Sequence, residues 1–319
     1  MKKLISVAIP AFNESENLRS LYARLATVAD SLKENYSFEF VICENGSTDD
    51  SMEILRQLSR EDPRIIVVRL VRNFHMEGGM LAALSQVSGD ACVIMSADLQ
   101  DPPELIPHLI EKWEDGAENV YTTILHRHGE GLARRTAARI FYAILARVSE
   151  YEIPRNASDF RLVSRRAYET FNSLPERVRL VRSVWPWLGF PSSNIEYERP
   201  ARTKGKSSFK PLVTTPFAVR SILASSFRVL RVFSLLALVL FVLSLLAVAF
   251  TVVGVLVFGV PFAGFGTIST VGLLLFSLLF LFLAVISEYL AIIFDEVRGR
   301  PAFLVAERVR GEASPDSKA

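Results

Sequence analysis

The most informative part of this chain is the stretch MSADLQDPPE, which runs from Met95 to Glu104. It ends the apolar run Ala91–Met95, which is typical of a short buried strand, and its Pro-Pro pair is typical of a helix start. Carboxylate and amide oxygens at the carboxyl end of a parallel strand suit a divalent cation that carries a phosphorylated ligand. An acidic helix N-cap is the alternative interpretation, and the stretch alone does not decide between the two.

Strand and helix patterns alternate through the first 125 residues. This alternation predicts an α/β domain with a doubly wound, mostly parallel sheet, and ligands then bind at the carboxyl ends of its strands. The predicted strands are Leu4–Ile9, Phe38–Cys43, Ile65–Leu70, Ala91–Met95, Asn119–Ile124 and Phe160–Ser164, and the predicted helices are Ser15–Glu34, Asp49–Arg60, Glu77–Ser88, Pro103–Asp115 and Leu132–Ser149.

A second feature is the stretch Val232–Ser287, whose 56 residues include no Asp, Glu, Lys, Arg or His. As one helix it would be roughly 84 Å long, whereas a bilayer core is about 30 Å thick. We therefore expect two transmembrane helices, near 233–258 and 267–293, joined by a Gly- and Pro-rich turn. Two consecutive uncharged spans of this length disfavour a soluble buried hairpin.

Arginines flank both ends of this stretch and the turn carries none, which predicts that both termini lie in the cytoplasm. We therefore expect a multi-pass protein of the inner (cytoplasmic) membrane. Cys43 and Cys92 lie in apolar runs and are expected to be small core residues. A net charge of +2 gives no sign of nucleic-acid binding. The predicted parts are a cytoplasmic domain (1–210), juxtamembrane amphipathic helices (211–231), two transmembrane helices (232–294) and a cytoplasmic C-terminal segment and tail (295–319).

Four further sets of polar residues have both a functional and a structural interpretation. The segment Glu44–Asp50 is either a ligand-binding loop or a turn with a helix N-cap, and Asp159 is either a site residue or part of an Asx turn before a strand. The arginines from Arg134 to Arg139 are an anion clamp or a solvated helix face. The basic residues from Arg202 to Lys210 attract anionic lipid or hold one phosphate.

Five segments form a set that spans nearly the whole chain: Val7–Glu14, Glu44–Asp49, Asp98–Glu104, Asp159–Leu162 and Glu296–Pro301. Together with the paired membrane spans, they resemble the family 2 glycosyltransferases that charge a polyprenyl phosphate. The similar groups are the dolichyl-phosphate-mannose-synthase-like and the bactoprenol-glucosyltransferase-like enzymes. The resemblance implies a Rossmann-like GT-A domain and inverting, metal-dependent transfer from a nucleotide sugar, expected to be UDP-linked.

The resemblance also implies roles for individual residues. Asp159 would be the catalytic base, and Asp98 and Gln100 would hold Mg²⁺ or Mn²⁺ with the donor diphosphate. The implied partners are a nucleotide-sugar donor, a polyprenyl phosphate acceptor, membrane lipids and a second copy of the chain. The implied donor-binding residues are Pro10, Phe12, Glu14, Glu44, Asn45 and Asp98, and the implied acceptor- or phosphate-binding residues are Arg134, Arg202 and Lys206.

Three positions depart from the pattern of this family. Ser96 replaces the first aspartate of the metal motif, Glu44–Asn45 replaces a pair of aspartates, and Lys206–Phe209 differs from the usual Ser-Lys-aromatic ending. The alternatives to transfer of a hexose are transfer of a modified aminopentose for lipid A modification, or a membrane-anchored nucleotide-sugar-binding scaffold without activity. A processive polysaccharide synthase is disfavoured, because only two spans are expected and no Gln-x-x-Arg-Trp motif occurs.

Overall fold

The computed structural model describes residues 2–127, 154, 156–176, 181–200 and 264–311, together with isolated positions between 239 and 257. The chain divides into two compact units. The first comprises Met1–Tyr142, Tyr151–Lys210 and Pro301–Ala319, and the second comprises Ala143–Glu150 and Pro211–Arg300. The predictions that lie outside the described residues are the helix Leu132–Ser149, the juxtamembrane helices 211–231, the tail 312–319, and the basic residues Arg134, Arg202 and Lys206.

The first unit contains one sheet, which has eight strands in the described residues. All six predicted strands are present, with ends that differ from the prediction by a few residues. Two further strands, β7 and β8, were not predicted. The strands are β1 (Lys3–Ala11), β2 (Tyr36–Glu44), β3 (Ile65–Leu70), β4 (Ala91–Ile94), β5 (Asn119–Arg127), β6 (Ala157–Ser164), β7 (Ser192–Arg199) and β8 (Val305–Arg310).

The strand order across the sheet is β7-β5-β6-β4-β1-β2-β3-β8. The central strands β3, β2, β1 and β4 are parallel neighbours, and β7 is parallel to β5. Strand β6 is antiparallel to β4 and β5, and β8 is antiparallel to β3. Six of the eight strands therefore run in one direction, which confirms the predicted α/β class with a mostly parallel sheet.

The helices of the first unit connect these strands. The four predicted helices before residue 115 are present, and the last begins with a short 3-10 turn at Pro103–Leu105, where prolines lack only amide hydrogens that a helix start leaves unpaired. The helices are α1 (Ser15–Ser31), α2 (Ser51–Glu61), α3 (His75–Leu84), α4 (Ile106–Glu114), α5 (Arg165–Ser173) and α6 (Val181–Leu188).

A hydrophobic core lies on each face of the sheet. Ile5, Val7 and Ile9 of β1 pack in one core with α1, α2 and α4, while Ala8 packs in the other with α3, α5 and α6. Burial of both faces explains why the central strands are continuous apolar runs rather than alternating ones. Cys43 and Cys92 are fully buried in the second core, as predicted, and burial raises the pKa of both thiols.

Strand β8 comes from the segment 295–319, which we predicted to be a separate C-terminal part. It pairs with β3, with Val309 opposite Val67, and Glu307 forms an ion pair with Arg56 of α2 at 2.8 Å. Just before the strand, the Leu304 carbonyl accepts a hydrogen bond from the Val71 amide at 3.0 Å. The C-terminal segment therefore covers an edge of the sheet that would otherwise expose unpaired backbone groups.

In the second unit, the described residues contain one helix that is long and apolar enough to cross a membrane. This is α7 (Phe265–Val297), within which Leu274–Phe294 forms the candidate span. None of that span is buried against protein. Of the first predicted span, 233–258, only isolated helical positions such as Val239 and Val253 are described. The first helix of the predicted hairpin therefore stays a prediction.

Candidate active site

The loop Ser96–Asp101, here called the β4 loop, follows the carboxyl end of β4. The Asp98 carboxylate is half-buried, and its Oδ1 accepts hydrogen bonds from Ser96 Oγ at 2.8 Å and from the Gln100 amide at 3.2 Å. Leu99 between them has a φ of 61°, which is the left-handed region. The loop therefore turns back on itself and fixes the Asp98 side chain at the edge of the sheet.

Asp101, the last residue of this loop, holds the loop in place from its buried side. It is buried, and its Oδ2 contacts both the amide and the hydroxyl of Ser96, at 3.0 and 2.6 Å. Its Oδ1 accepts a hydrogen bond from the Tyr197 hydroxyl at 3.1 Å and lies 3.6 Å from Arg199 Nη2. Burial raises the pKa of Asp101, while Arg199 and the Ser96 hydrogen bonds act in the opposite direction. Sequence patterns predicted no role for Asp101, Tyr197 or Arg199.

Asp159 lies at the same edge of the sheet as the β4 loop. Strand β6 is antiparallel to β4, with Arg161 opposite Ile94, so the beginning of β6 lies beside the end of β4. We expected Asp159 just before a strand, but it is within β6, because that strand begins at Ala157. The neighbouring Ser158 is buried, and its Oγ lies 3.4 Å from the Tyr197 hydroxyl. The Tyr197 hydroxyl therefore contacts both the loop that carries Asp98 and the residue that precedes Asp159 in β6.

The loops that follow β1 and β2 interlock. The Asn13 amide donates to Ser47 Oγ at 3.0 Å, and Asn13 Oδ1 accepts from the Thr48 amide at 2.8 Å. Asp49 accepts hydrogen bonds from the amides of Ser15 and Ser51, each at 3.1 Å. Burial raises the pKa of Asp49, but these hydrogen bonds outweigh it and leave the pKa below its usual value. These hydrogen bonds join the two loops, 12–14 after β1 and 45–50 after β2, into one surface at the carboxyl edge of the sheet. This surface, together with Glu44 at the end of β2, is here called the wall.

Two of the predicted donor-binding residues have polar contacts within this wall. Glu44 is fully buried, accepts a hydrogen bond from the Ser47 amide and lies 3.4 Å from Arg69 Nε. Asn45 uses both ends of its amide, donating to the His75 carbonyl at 2.7 Å and accepting from the Phe74 amide at 2.9 Å. Asn45 therefore joins the wall to the first turn of α3.

The remaining donor-binding predictions lie at the end of β1 and the start of α1. Pro10 is buried and Phe12 is half-buried. Glu14 is half-buried, and its Oε2 accepts a hydrogen bond from Asn17 Nδ2 at 2.6 Å. The described donor-binding predictions thus all lie at the carboxyl edge of β1, β2 and β4.

The donor set of the β4 loop fits a divalent cation that arrives with a phosphorylated ligand. The described residues contain no group of three or more His, Cys, Asp or Glu side chains placed to hold a metal. Asp98 offers one carboxylate, and Gln100 offers an amide oxygen, while its amide nitrogen lies 3.5 Å from the Pro200 carbonyl. Mg²⁺ is commonly bound by one or two carboxylates together with substrate phosphates and water, so a sparse set of this kind is sufficient.

Comparisons with known proteins identify the family of this chain. The model of the family described as Glycosyl transferase family 2 matches residues 6–171. An uncharacterized glycosyltransferase of Synechocystis is 34% identical, with 95% of each chain covered. A prophage-derived bactoprenol glucosyl transferase of Shigella flexneri is also 34% identical, with 96% of this chain and 99% of the relative covered. Glucosyl-3-phosphoglycerate synthase from Mycobacterium tuberculosis is a distant structural likeness, with 20% identity, a TM-score of 0.48, and 70% and 78% of the two chains covered.

Proposed function

The chain belongs to glycosyl transferase family 2, and from that premise we propose that it transfers a sugar from a nucleotide-sugar donor to a polyprenyl phosphate at a membrane surface. The observation that carries the proposal is the meeting of the β4 loop and the Asp159 strand at one edge of the sheet. The acceptor is supported by full-length similarity to relatives named bactoprenol glucosyl transferase and by the membrane-length helix α7.

The donor diphosphate would bind at the β4 loop. Asp98 and Gln100 would hold Mg²⁺ or Mn²⁺, whose charge would stabilise the diphosphate as it leaves the anomeric carbon. The wall formed by the loops after β1 and β2 would hold the nucleoside, which we expect to be uridine. Because Glu44 and Asn45 are both buried and both engaged in contacts within the protein, the backbone of the wall is the better candidate for direct contacts with the base.

Asp159 would act on the acceptor. A phosphate monoester is already anionic at neutral pH, so it needs orientation more than deprotonation. Asp159 would orient the acceptor and take up its remaining proton, so that the phosphate oxygen attacks the anomeric carbon from the side opposite the leaving diphosphate. This attack inverts the anomeric centre and yields a polyprenyl-phosphate sugar. Arg134, Arg202 and Lys206 stay predictions for binding the phosphate groups.

The sheet itself supports a membrane hairpin. Strands β7 and β8 belong to one sheet, so they lie on the same side of any membrane that the chain crosses. The stretch between them must therefore cross an even number of times. Helix α7 has the length for one crossing, and the uncharged residues from Val232 onward have the composition for another. We therefore keep the two-helix hairpin with both termini cytoplasmic as part of the proposal.

Anchoring would help the transfer reaction because the lipid acceptor is confined to the membrane. A tethered domain encounters that acceptor at a raised effective concentration, without any additional contact. Self-association, which the family resemblance implies, is part of the proposal but is not needed for this argument.

The proposal is tested with the full-length chain in membranes that contain undecaprenyl phosphate. A panel of radiolabelled UDP- and GDP-sugars, including an aminopentose donor, is supplied with Mg²⁺, Mn²⁺ or EDTA. We expect one UDP-sugar to give lipid-extractable label with either cation and none with EDTA. Label from the aminopentose donor alone would instead favour the lipid A alternative. The proposal fails if no donor gives lipid-linked label and the purified chain shows no cation-dependent affinity for nucleotide sugars.

A further inference from the structure

The Tyr197 hydroxyl lies between the two halves of the proposed site. Tyr197 is near the end of β7 and is buried, with 5% of its surface exposed. Its oxygen is 3.1 Å from Asp101 Oδ1 in the β4 loop and 3.4 Å from Ser158 Oγ, beside Asp159. Asp101 and Ser158 are themselves buried, so water does not compete for these contacts.

The chemistry of these groups gives the hydrogen bonds a direction. A phenol carries one proton, and Tyr197 donates it to Asp101, where the neighbouring Arg199 favours the ionised carboxylate as the acceptor. The Ser158 hydroxyl can then donate to the Tyr197 oxygen while its own oxygen accepts from the Phe160 amide at 3.3 Å. A continuous series of hydrogen bonds thus runs from the backbone of β6 to the β4 loop.

Ser96 connects Asp101 to Asp98, so the hydrogen bond that holds Asp101 also affects the position of Asp98. The Ser96 hydroxyl lies 2.6 Å from Asp101 Oδ2 and 2.8 Å from Asp98 Oδ1. It has one proton and can donate to only one of these carboxylates at a time. The Ser96 amide also donates to Asp101, at 3.0 Å, so the backbone at Ser96 stays in place whichever carboxylate the hydroxyl serves. The position of Asp98 therefore depends on where Asp101 is held.

The Tyr197 ring is held independently of its hydroxyl. It packs edge to face against Phe160, with ring centroids 6.1 Å apart. Arg199 Nη2 also contacts Asp101, at 3.6 Å, so Asp101 keeps a charged neighbour when the tyrosine hydroxyl is removed. Replacing Tyr197 by Phe therefore deletes the connection between the β4 loop and β6 while leaving the surrounding packing in place.

We propose that Tyr197 is a positioning residue, whose hydroxyl holds the β4 loop against the strand that carries Asp159 and so sets the distance between the leaving diphosphate and the attacking acceptor phosphate. This inference rests on the proposed function. It assigns to β7 a role in aligning the two substrates, although Tyr197 itself is buried and contacts neither of them.

The test compares Tyr197→Phe with Tyr168→Phe in the full-length chain. Tyr168 is also buried and donates to the Gly89 carbonyl at 2.7 Å, just before β4 and therefore at the opposite edge of the sheet. Each variant loses one buried tyrosine hydroxyl, so a purely structural effect should lower their melting temperatures to a similar extent. Two measurements are made: the kinetics of lipid-linked transfer, which give kcat and donor KM, and the calorimetric affinity for UDP with and without Mn²⁺.

For Tyr197→Phe we expect kcat to fall about tenfold or more, since a lost hydrogen bond to a charged group is worth about 1.5–3 kcal/mol. The gain in UDP affinity on adding Mn²⁺ should shrink about threefold or more, because the β4 loop that carries Asp98 and Gln100 is held less firmly. A threefold change corresponds to about 0.6 kcal/mol. Tyr168→Phe should leave both quantities unchanged. Ser158→Ala, which breaks the same series at its other end, should reproduce the loss of kcat and keep the Mn²⁺ effect on UDP.

The possible outcomes separate the inference from the function on which it rests. If wild type binds UDP with Mn²⁺ and transfers sugar, but Tyr197→Phe matches Tyr168→Phe in both measurements, the positioning role is wrong and the proposed function stands. If wild type neither binds UDP with Mn²⁺ nor transfers sugar, the function fails first. If Tyr197→Phe does not fold, Ser158→Ala decides, and normal kcat in that variant overturns the inference.

Discussion

Asp98 combines a charge that the proposed reaction needs with hydrogen bonds that the β4 loop needs. Its Oδ1 accepts from Ser96 and Gln100, so replacing Asp98 by Ala would disturb the loop as well as the charge. Asp98→Asn retains an oxygen acceptor and removes only the charge. We expect this variant to lose transfer activity by about 100-fold or more, in the range seen when transition-state charge stabilisation is removed.

This first prediction is checked by initial rates at several Mn²⁺ concentrations, with membrane insertion measured in parallel. Asp115→Asn is the matched control, because Asp115 is exposed and follows α4. Activity of Asp98→Asn within a few-fold of this control would contradict the metal assignment.

Asp159 has a different predicted signature, because its proposed role concerns the acceptor. Asp159→Asn keeps the size of the side chain but cannot take up a proton or carry a negative charge. We expect turnover to fall about 100-fold or more, a typical contribution of general base catalysis. UDP affinity in the presence of Mn²⁺ should stay at the wild-type value. Normal turnover would show that Asp159 only shapes the start of β6, and a parallel loss of UDP affinity would place it in the donor site instead.

Gly46 shows how strongly the wall of the site depends on one residue. It has a φ of +70°, and a Cβ atom there would lie 2.5 Å from the backbone carbon of Arg72 and 2.7 Å from the Asn73 nitrogen. Gly116 has a φ of +101°, but a Cβ there would meet nothing within 4 Å. The two glycines therefore separate backbone strain from a clash with the loop after β3.

We expect Gly46→Ala to lower the free energy of unfolding by more than about 2 kcal/mol, because strain and overpacking add. It should also weaken UDP binding, since the wall must move. Gly116→Ala should show only the conformational cost, about 1–2 kcal/mol, with normal binding. Thermal unfolding and UDP calorimetry on the detergent-purified chain make the comparison. Equal effects of the two substitutions would mean that the wall yields easily.

At the scale of elements, β8 makes the C-terminal segment part of the sheet that carries the site. It pairs with β3, and the adjoining Ala302 carbonyl lies close to Gly78 near the start of α3. Because α3 begins where Asn45 holds Phe74 and His75, the C-terminal segment supports the site as well as the edge of the sheet.

Removing residues 305–319 should therefore expose β3 as an edge strand. We expect its amide hydrogens to exchange about tenfold faster or more, since this local structure would lose its pairing. Removing only 312–319 is the matched control and should leave exchange in β3 unchanged. Hydrogen exchange with mass spectrometry resolves the difference. Unchanged protection of β3 in the longer deletion would show that β8 contributes nothing to this edge.

The elements that sequence patterns missed differ physically from those they identified. Strands β1 to β4 are buried on both faces, and their continuous apolar runs are visible without any tertiary information. Strands β7 and β8 lie at the two edges of the sheet and contain charged residues, as edge strands often do. Their sequences therefore look like polar loops, although the alternation of Ile195, Tyr197 and Arg199 in β7 was a weak signal of a strand.

The same limit applies to the candidate site. Asp98, Gln100 and Asp159 lie within local motifs, so sequence patterns alone predict roles for them, and the structure brings the β4 loop and the Asp159 strand together. Tyr197 reaches Asp101 from 96 residues further along the chain, and only the strand order makes them neighbours. Asn45 was expected in the donor site, but its contacts with the start of α3 depend on a turn that no sequence pattern specifies.

At the scale of the whole molecule, the sheet constrains the path of the chain through a membrane. Because β7 and β8 lie in one sheet, a single crossing by α7 is inconsistent with both ends of the intervening stretch returning to that sheet. A hairpin satisfies this condition, and its turn would lie near 259–266 on the side opposite the sheet. The alternative is that α7 does not cross and lies along another apolar surface.

Cysteine labelling distinguishes these two arrangements. The native thiols of Cys43 and Cys92 are fully buried, and burial raises their pKa, so they should not react in the folded chain. We expect Ala263→Cys to react with a membrane-impermeant maleimide in cells whose outer layers are permeabilised but whose cytoplasmic membrane is intact. Ser317→Cys should react only in inverted vesicles. Reaction of both cysteines from the same side would exclude the hairpin, since the turn and the C-terminal tail would then share one face of the membrane.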